Sequence, residues 1–496
     1  MVQSVLYLTA SNLAMRGVSM LFQIWLSEQV GAAGLGLLQL IMTVNAFAFT
    51  LGTSGIRVAA MYLTAEEFGH RRYGGIRSAM CWCIGSGLLL STLVGFAMVL
   101  GAKFLAQQWI GDLRAIASVR LLGFTLPITC LSSILCGYFT ASDQVKKLVP
   151  IEIGDRVASV LLTVWLLQCG KPGDISHACV SIIGGGSLAG FLSVIVLLAF
   201  LLRDLRRYGK PKETLHMGRR LRKFCIPVAL NDYLRSGLGT LEQFLIPYGL
   251  TRSGNSRTRA LEDYGTIQGM VFPIMMFLST LLFSLSDLLV PRLARCKTEG
   301  SRDRLRQITN RCMRGSFLFS AMVAGLIFVL AKPLGILFYD SSRAGIYLRI
   351  FAPLLPVLYL DCIVDGMHKG LGEQIYCVRV NTLTNFLDVI GLFLLLPKFG
   401  IGGYFLTYTV THVLNFSLSL RRLMKVSHYA PDLRRVATTV LTGIAAVWFV
   451  STFRPAAAAW SDVFLSGGLY LTLHILLWLL TKKRRFLTQV TAYTIR

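Results

Sequence analysis

Fourteen stretches of this 496-residue chain are apolar over roughly 20 to 28 residues each, the length a helix needs to cross the hydrocarbon of a bilayer. They begin near residues 4, 34, 78, 117, 148 and 178, then near 222, 264, 315, 348, 376, 402, 436 and 461. A chain that is 54% hydrophobic and 15% charged, with a mean hydropathy of +0.61, holds more apolar residues than a soluble core of its length can use. The pattern predicts an all-α polytopic membrane protein.

The order of these stretches is duplicated. Sliding the sequence along itself aligns Arg120 and Pro127 with Arg349 and Pro356, Gly137 with Gly366, Ala102 and Lys103 with Ala331 and Lys332, and Gly36 and Gln39 with Gly265 and Gln268. Nearer the start of each copy, Asn12, Arg16 and Gln23 fall on Asn231, Arg235 and Glu242, and a longer polar loop in the second copy, Thr251 to Leu261, absorbs the difference in spacing. The repeat predicts two pseudosymmetric six-helix lobes, residues 1–209 and 210–428, and an extra helix pair over 429–496. Paired lobes of this kind usually rock around a central site, so the duplication points to transport.

A net charge of +26 could suggest a nucleic-acid partner, but its placement argues otherwise. With a cytoplasmic N-terminus, the even-numbered turns and the C-terminus hold 34 of the 50 Lys and Arg residues, the opposite side holds 12, and Arg16, Arg57, Arg156 and Arg235 lie inside helices. The positive-inside rule then predicts that both termini are cytoplasmic. The densest clusters, Arg203 to Lys223 and Arg292 to Arg314, read as topology signals in contact with anionic membrane lipids, and no nucleic acid is expected. The N-terminus lacks a basic leader and runs on into Gly31-Ala-Ala-Gly34, so helix one is expected to stay in the mature protein.

Eleven cysteines are scattered singly apart from Cys81 and Cys83, without a zinc spacing or a disulfide framework. They read as small apolar packing residues. The sequence holds no phosphate-cradling loop, no nucleophile elbow and no His-Glu-x-x-His. Neither enzymatic activity, a cofactor nor a metal site is expected.

Ionisable groups at membrane depth carry the functional signal, because they are costly there. Asn12, Arg16 and Gln23 at i, i+4 and i+11 form one stripe on helix one, and its copy on helix seven is Asn231, Arg235 and Glu242, with Asp232 beside it. Either the two stripes face a common cavity, or each arginine is neutralised by a carboxylate or by backbone carbonyls. Arg57, on helix two after Gly52, Ser54 and Gly55, has Ser286 as its repeat equivalent, so packing symmetry does not demand a charge there. It lines the cavity or snorkels to the headgroups. Arg156 reads as an ion-pair partner of Asp155 and Glu152.

In helix ten, Asp361, Asp365 and His368 occupy i, i+4 and i+7 where the first copy has Ser132, Cys136 and Phe139. Two carboxylates one turn apart repel in a low dielectric, which makes them a candidate site for a coupling proton or sodium ion, with Asp388 as an additional candidate. The other reading pairs Asp365 with Lys369 at i+4. His412 and His474 read as hydrogen-bonded packing residues, Gly184 to Gly186 as a close-packing point or a flexible joint, and Pro127 and Pro356 as equivalent bends.

Gly31-Ala-Ala-Gly-Leu-Gly-Leu-Leu-Gln39, then Leu51-Gly-Thr-Ser-Gly-Ile-Arg-Val-Ala-Ala60 running into Thr64-Ala-Glu-Glu67, resembles the first two helices of the stage V sporulation protein B branch of the polysaccharide transporters. Ser284-Leu-Ser-Asp-Leu-Leu-Val-Pro291 and Gly366-Met-His-Lys-Gly-Leu-Gly-Glu373 resemble its second-lobe signatures. That branch belongs to the multidrug, oligosaccharidyl-lipid and polysaccharide exporter superfamily, which includes the lipid II flippases and has twelve or fourteen helices in two pseudosymmetric lobes. The resemblance implies an alternating-access flippase of a bacterial inner membrane, moving an undecaprenyl-diphosphate-linked cell-wall or polysaccharide intermediate from the inner to the outer leaflet. It also implies that Arg16 and Arg57 match cavity arginines that receive the pyrophosphate in lipid II flippases, whereas Phe22-Gln23 stands where those carry an arginine-aspartate pair. The alternatives are a cation-coupled multidrug exporter of the same superfamily, or a membrane scaffold for cell-wall or spore enzymes. A monomer is expected, with cell-wall synthesis enzymes as candidate partners.

Overall fold

The computed structural model describes residues 2–53, 55–70, 72–170, 174–207, 217–453 and 460–494, with side chains described outside 2–12, 14, 145 and 482–494. Among the described residues every regular element is helical. Ten helices are unbroken: Tyr73–Leu100, Ile116–Ala141, Val145–Gln168, Ile175–Arg207, Met217–Arg252, Arg302–Tyr339, Gln374–Phe399, Ile401–Ser427, Leu433–Phe453 and Trp460–Thr494. Short turns, Ala102–Phe104, Leu105–Ile110 and Leu113–Ala115, lead into Ile116–Ala141, and the remaining four rods are set off by breaks. Val2–Thr53 is interrupted at Gly31, and its second half continues past Gly55 as Ile56–Gly69. Arg257–Gly265 passes through a π-helical turn, Thr266–Val271, into Phe272–Phe277 and then bends by 57° into Ser279–Thr298. Ser342–Phe351 runs through a 3-10 turn into Leu355–Gly370.

These make fourteen rods, in the positions the apolar stretches predict. Nine described segments are long and apolar enough to cross a membrane, or ten if the bent pair is one span. Met15–Gly69 is one of these segments although it holds two rods, and Val145–Gln168, Met217–Arg252 and Ile401–Ser427 are not among them. Large apolar side chains point away from protein, as Phe96, Leu100 and Phe124 do at 63%, 71% and 69% exposure. Water would penalise such a surface, whereas lipid does not.

Breaks fall where glycine permits a left-handed backbone. Gly31 has φ 66° and Gly55 φ 72°, values that cost an L-residue about 1–2 kcal/mol. The break at Gly55 places Arg57 in the first turn of Ile56–Gly69 rather than along an uninterrupted helix two. The two prolines differ more than their equivalence predicts. Pro127 sits inside the continuous Ile116–Ala141 helix, whereas Pro356 opens Leu355–Gly370, because the second copy adds Pro353 and its 3-10 turn just upstream.

Contacts divide the chain into two compact units, Met1–Glu28 with Thr266–Arg496, and Gln29–Gly265. They cut the chain elsewhere than the repeat boundaries at 209 and 428, because the first helix of each copy packs with the other copy's helices. Arg16 and Gln23 bond to backbone of the second copy, and Tyr233 donates to Leu51 O of the first.

The Gln29–Gly265 unit has a core that includes Ile56, Leu63, Met80, Ile134, Tyr138, Leu197 and Leu221. Small residues bring its helices together, as membrane packing requires. A Cβ on Gly123 would sit 2.7 Å from Gly95 O, and one on Gly185 would sit 2.6 Å from Thr163 N. The second contact supports close packing for the Gly184 to Gly186 triplet. Gly36 and Gly265, equivalent in the repeat, touch one another: a Cβ on Gly265 would lie 2.5 Å from Gly36 N, and one on Gly36 would meet the Leu261 carbonyl. Because the obstacle is backbone, a larger residue cannot be accommodated by a rotamer change. Gly36→Leu is expected to destabilise the detergent-solubilised protein by about 1–3 kcal/mol. An unchanged thermal unfolding midpoint would contradict it.

In the other unit, Leu433–Phe453 and Trp460–Thr494 pack on Arg302–Tyr339 through Val329, Leu330, Ala446, Val450 and Tyr470. Gly325 leaves room for the Tyr470 hydroxyl, which hydrogen-bonds His474 Nδ1 at 2.8 Å. His412 Nδ1 donates to Tyr408 O at 3.0 Å. Both histidines are packing residues, as their isolation on apolar helices predicts. All eleven cysteines are free.

Candidate functional site

A helix that bends or bulges leaves carbonyls without their i+4 donors, and in a membrane other groups must take them. In the unit that holds helix one, the π-helical turn and the bend at Leu278 do this. Gln23 Nε2 donates to Gly269 O at 3.0 Å and Arg16 Nη1 to Met276 O at 3.0 Å. Tyr359 Oη donates to Met275 O and Ser279 Oγ to Met276 O, both at 2.5 Å. The polar stripe of helix one therefore answers a break in the rod beside it, and backbone carbonyls are what Arg16 meets. The Arg16 guanidinium also lies 5.6 Å from the Phe283 ring, yet the residue stays exposed. Most of its donor fork is left for another acceptor. Asn12 lies outside the residues whose side chains are described.

Arg57 and Arg235 share the other unit, and both are exposed. Arg57 and Arg156 both act on Glu152 through charge, whereas Asp155 is held by Ser193 Oγ at 2.9 Å. Among the described residues Arg156 makes no ion pair with Asp155 or Glu152, and it acts on Glu152 only at longer range. Asn231 is exposed on the same helix as Arg235; Asp232 and Glu242 are half-buried. The charge of Glu242 reaches Tyr264, whose hydroxyl donates to the neighbouring Gln243 Oε1 at 2.8 Å. Among the described residues, none of Arg16, Arg57 and Arg235 lies within ion-pair distance of a carboxylate. The two units divide these arginines, Arg16 in one and Arg57 with Arg235 in the other.

The acidic candidates collect on three helices of the Thr266–Arg496 unit. Asp361 Oδ2 accepts from Asn415 Nδ2 at 3.1 Å, and Asn415 Oδ1 accepts from Thr384 Oγ1 at 3.4 Å. Asp388, 5% exposed, accepts from Thr411 Oγ1 at 2.8 Å. Asp361 Oδ1 and Asp365 Oδ1 are buried and, among the described residues, have no hydrogen-bond partner. Asp365 makes no ion pair with Lys369 among those residues, and its charge acts on Cys377. His368, fully buried, meets Ser419 O through Nε2 at 2.9 Å, so it anchors helices to each other. Thr407, Thr411, Asn415 and Ser419, which are not among the expected site residues, form a buried stripe at steps of four on Ile401–Ser427. That spacing was available in the sequence, but uncharged polar residues do not stand out there.

A second omission is Arg220. Its Nη1 reaches Glu67 Oε1 and its Nη2 reaches Glu66 Oε2, each at 2.8 Å. Glu67 is 1% exposed and its Oε2 has no hydrogen-bond partner among the described residues. Arg220→Gln would strand that buried carboxylate at an expected cost of about 2 kcal/mol, below the range for a fully buried pair because Arg220 is itself partly solvated. Adding Glu67→Gln should recover most of the loss in a double-mutant cycle. Strict additivity in that cycle would show that the pair is not coupled.

The family described as polysaccharide biosynthesis protein matches residues 1–297, and the MatE family matches residues 267–394. The chain is 22% identical to stage V sporulation protein B of Bacillus subtilis (strain 168) over 451 residues, 86% of this chain and 85% of that protein. It is 21% identical to the sporulation protein YkvU of the same organism over 49% of this chain and 56% of that one. Its fold is similar to that of the lipid II flippase MurJ in an inward closed conformation, with a TM-score of 0.71 and 12% identity, over 98% of this chain and 100% of that one. It is also similar to a multidrug resistance MATE family transporter in an inward-facing conformation, with a TM-score of 0.64 and 15% identity, over 84% and 96%.

Proposed function

We propose, for a chain that belongs to the polysaccharide biosynthesis protein family and is a multi-pass membrane protein, that it flips an undecaprenyl-diphosphate-linked cell-wall or polysaccharide intermediate from the inner to the outer leaflet by alternating access. One observation carries this reading: three arginines on apolar rods, Arg16, Arg57 and Arg235, stay exposed, and none has an ion-pair partner among the described residues. A guanidinium left open at membrane depth suits an anionic cargo. Its planar fork fits phosphate oxygens two at a time, while a polyprenyl tail can remain in lipid. The positive-inside asymmetry supports both termini on the cytoplasmic side of a bacterial inner membrane.

A second reading, cation-coupled drug export, is favoured by the acidic cluster. The MatE match covers Asp361, Asp365, His368 and Asp388, and two carboxylate oxygens there are buried without hydrogen-bond partners among the described residues. The two readings separate in proteoliposomes that carry a fluorescent polyprenyl-diphosphate sugar, with leaflet exchange followed beside efflux of a cationic dye. Lipid exchange without dye efflux supports the flippase. Cation-driven dye efflux without lipid exchange sinks it.

A further inference from the structure

We propose that the groove between the helices Ser279–Thr298 and Arg302–Tyr339 is a binding site for an anionic phospholipid, held as a resident ligand rather than as cargo. A short turn joins these two helices as antiparallel neighbours, and between them lies a groove of about 670 Å³. Its chemistry is graded along its length. Leu281, Leu285 and Leu288 recur on one wall at helical spacing, and one turn further on the same wall carries Arg292. Arg311 stands on the opposite wall beside Cys312, and both arginines act electrostatically on that cysteine. The two cations therefore converge at one end of an aliphatic trough. Both are exposed, and neither has a carboxylate within ion-pair distance among the described residues.

Two details make the trough fit for a chain. A Cβ on Gly315 would meet nothing within 4 Å, so the glycine leaves open space on the wall below Arg311. Ser316, 2% exposed, lines the groove with a hydroxyl that has no hydrogen-bond partner among the described residues. A headgroup oxygen supplies the acceptor it lacks, the paired arginines suit one phosphodiester, and the leucines suit one acyl chain. A soluble anion would leave the leucines uncovered, and a neutral lipid would leave the arginines uncompensated. The site uses none of Arg16, Arg57 and Arg235 and stands whether or not the transport reading does.

The test is native mass spectrometry of the full chain in detergent, with phosphatidylglycerol or phosphatidylcholine added at equal concentration. The parent should retain phosphatidylglycerol preferentially. Arg292→Gln with Arg311→Gln should cut that retention roughly tenfold or more, as loss of two basic contacts implies. Gly315→Leu should reduce it by filling the trough with both charges in place, and as a surface change into open space it should leave the thermal midpoint where it was. Equal retention of the two lipids by the parent overturns the proposal, as does unchanged retention in both variants. Displacement of phosphatidylglycerol by an equal amount of a polyprenyl diphosphate also overturns it, since the groove would then belong to the cargo.

Discussion

Replacing Arg16 and Arg57 together by glutamine is expected to slow leaflet exchange of a labelled polyprenyl-diphosphate sugar by about 100-fold, with each single change giving roughly tenfold. The magnitude follows from the bonds at stake. A hydrogen bond to a charged group contributes about 1.5–3 kcal/mol, and each 1.4 kcal/mol is a factor of ten. Arg16→Gln also removes a donor to Met276 O, but Ser279 Oγ keeps that carbonyl satisfied, so the bend at Leu278 should persist. Arg16→Lys distinguishes charge from shape, because an ammonium keeps the charge and loses the fork. It should fall between parent and glutamine variant. If the double glutamine variant exchanges the probe as fast as the parent, these arginines do not bind the diphosphate and the cargo reading fails.

Much of the architecture was legible because the bilayer constrains it so strongly. Apolar length marked all fourteen rods, and the repeat marked Gly36 and Gly265, which turn out to pack on each other. What the sequence concealed is pairing across helices. Nothing in the spacing of Glu66 and Glu67 indicates that Arg220, more than 150 positions along the chain, closes on them, and nothing in Arg16 indicates that its acceptor is the carbonyl of a bent helix. Local signals also misled where they depended on continuity. Gly55 was visible as a glycine, but only its left-handed φ shows that helix two restarts there and puts Arg57 in a first turn. The equivalence of Pro127 and Pro356 held as an alignment and failed as a shape, since a second proline beside one of them changed what the turn could be.

Asp361 should decide whether the unit that holds Thr266–Arg496 couples transport to a cation. Its Oδ2 is fixed by Asn415, while Oδ1 and the neighbouring Asp365 Oδ1 are buried without hydrogen-bond partners among the described residues, an arrangement that is costly unless a proton or a cation completes it. Asp361→Asn keeps the volume and the contact to Asn415 but removes the charge. With Asp365→Asn added, stimulation of transport by an imposed sodium or proton gradient is expected to drop by about 30- to 100-fold, the equivalent of one or two lost charged contacts, while gradient-free exchange continues. His368→Asn should instead lower stability with little effect on the gradient response, because its ring bonds to a backbone carbonyl. Varying sodium at fixed pH, and pH at fixed sodium, identifies the ion. Should the double asparagine variant respond to both gradients as the parent does, the buried carboxylates are structural. Asp388, tied to Thr411 on the neighbouring helix, would then be the remaining acidic candidate.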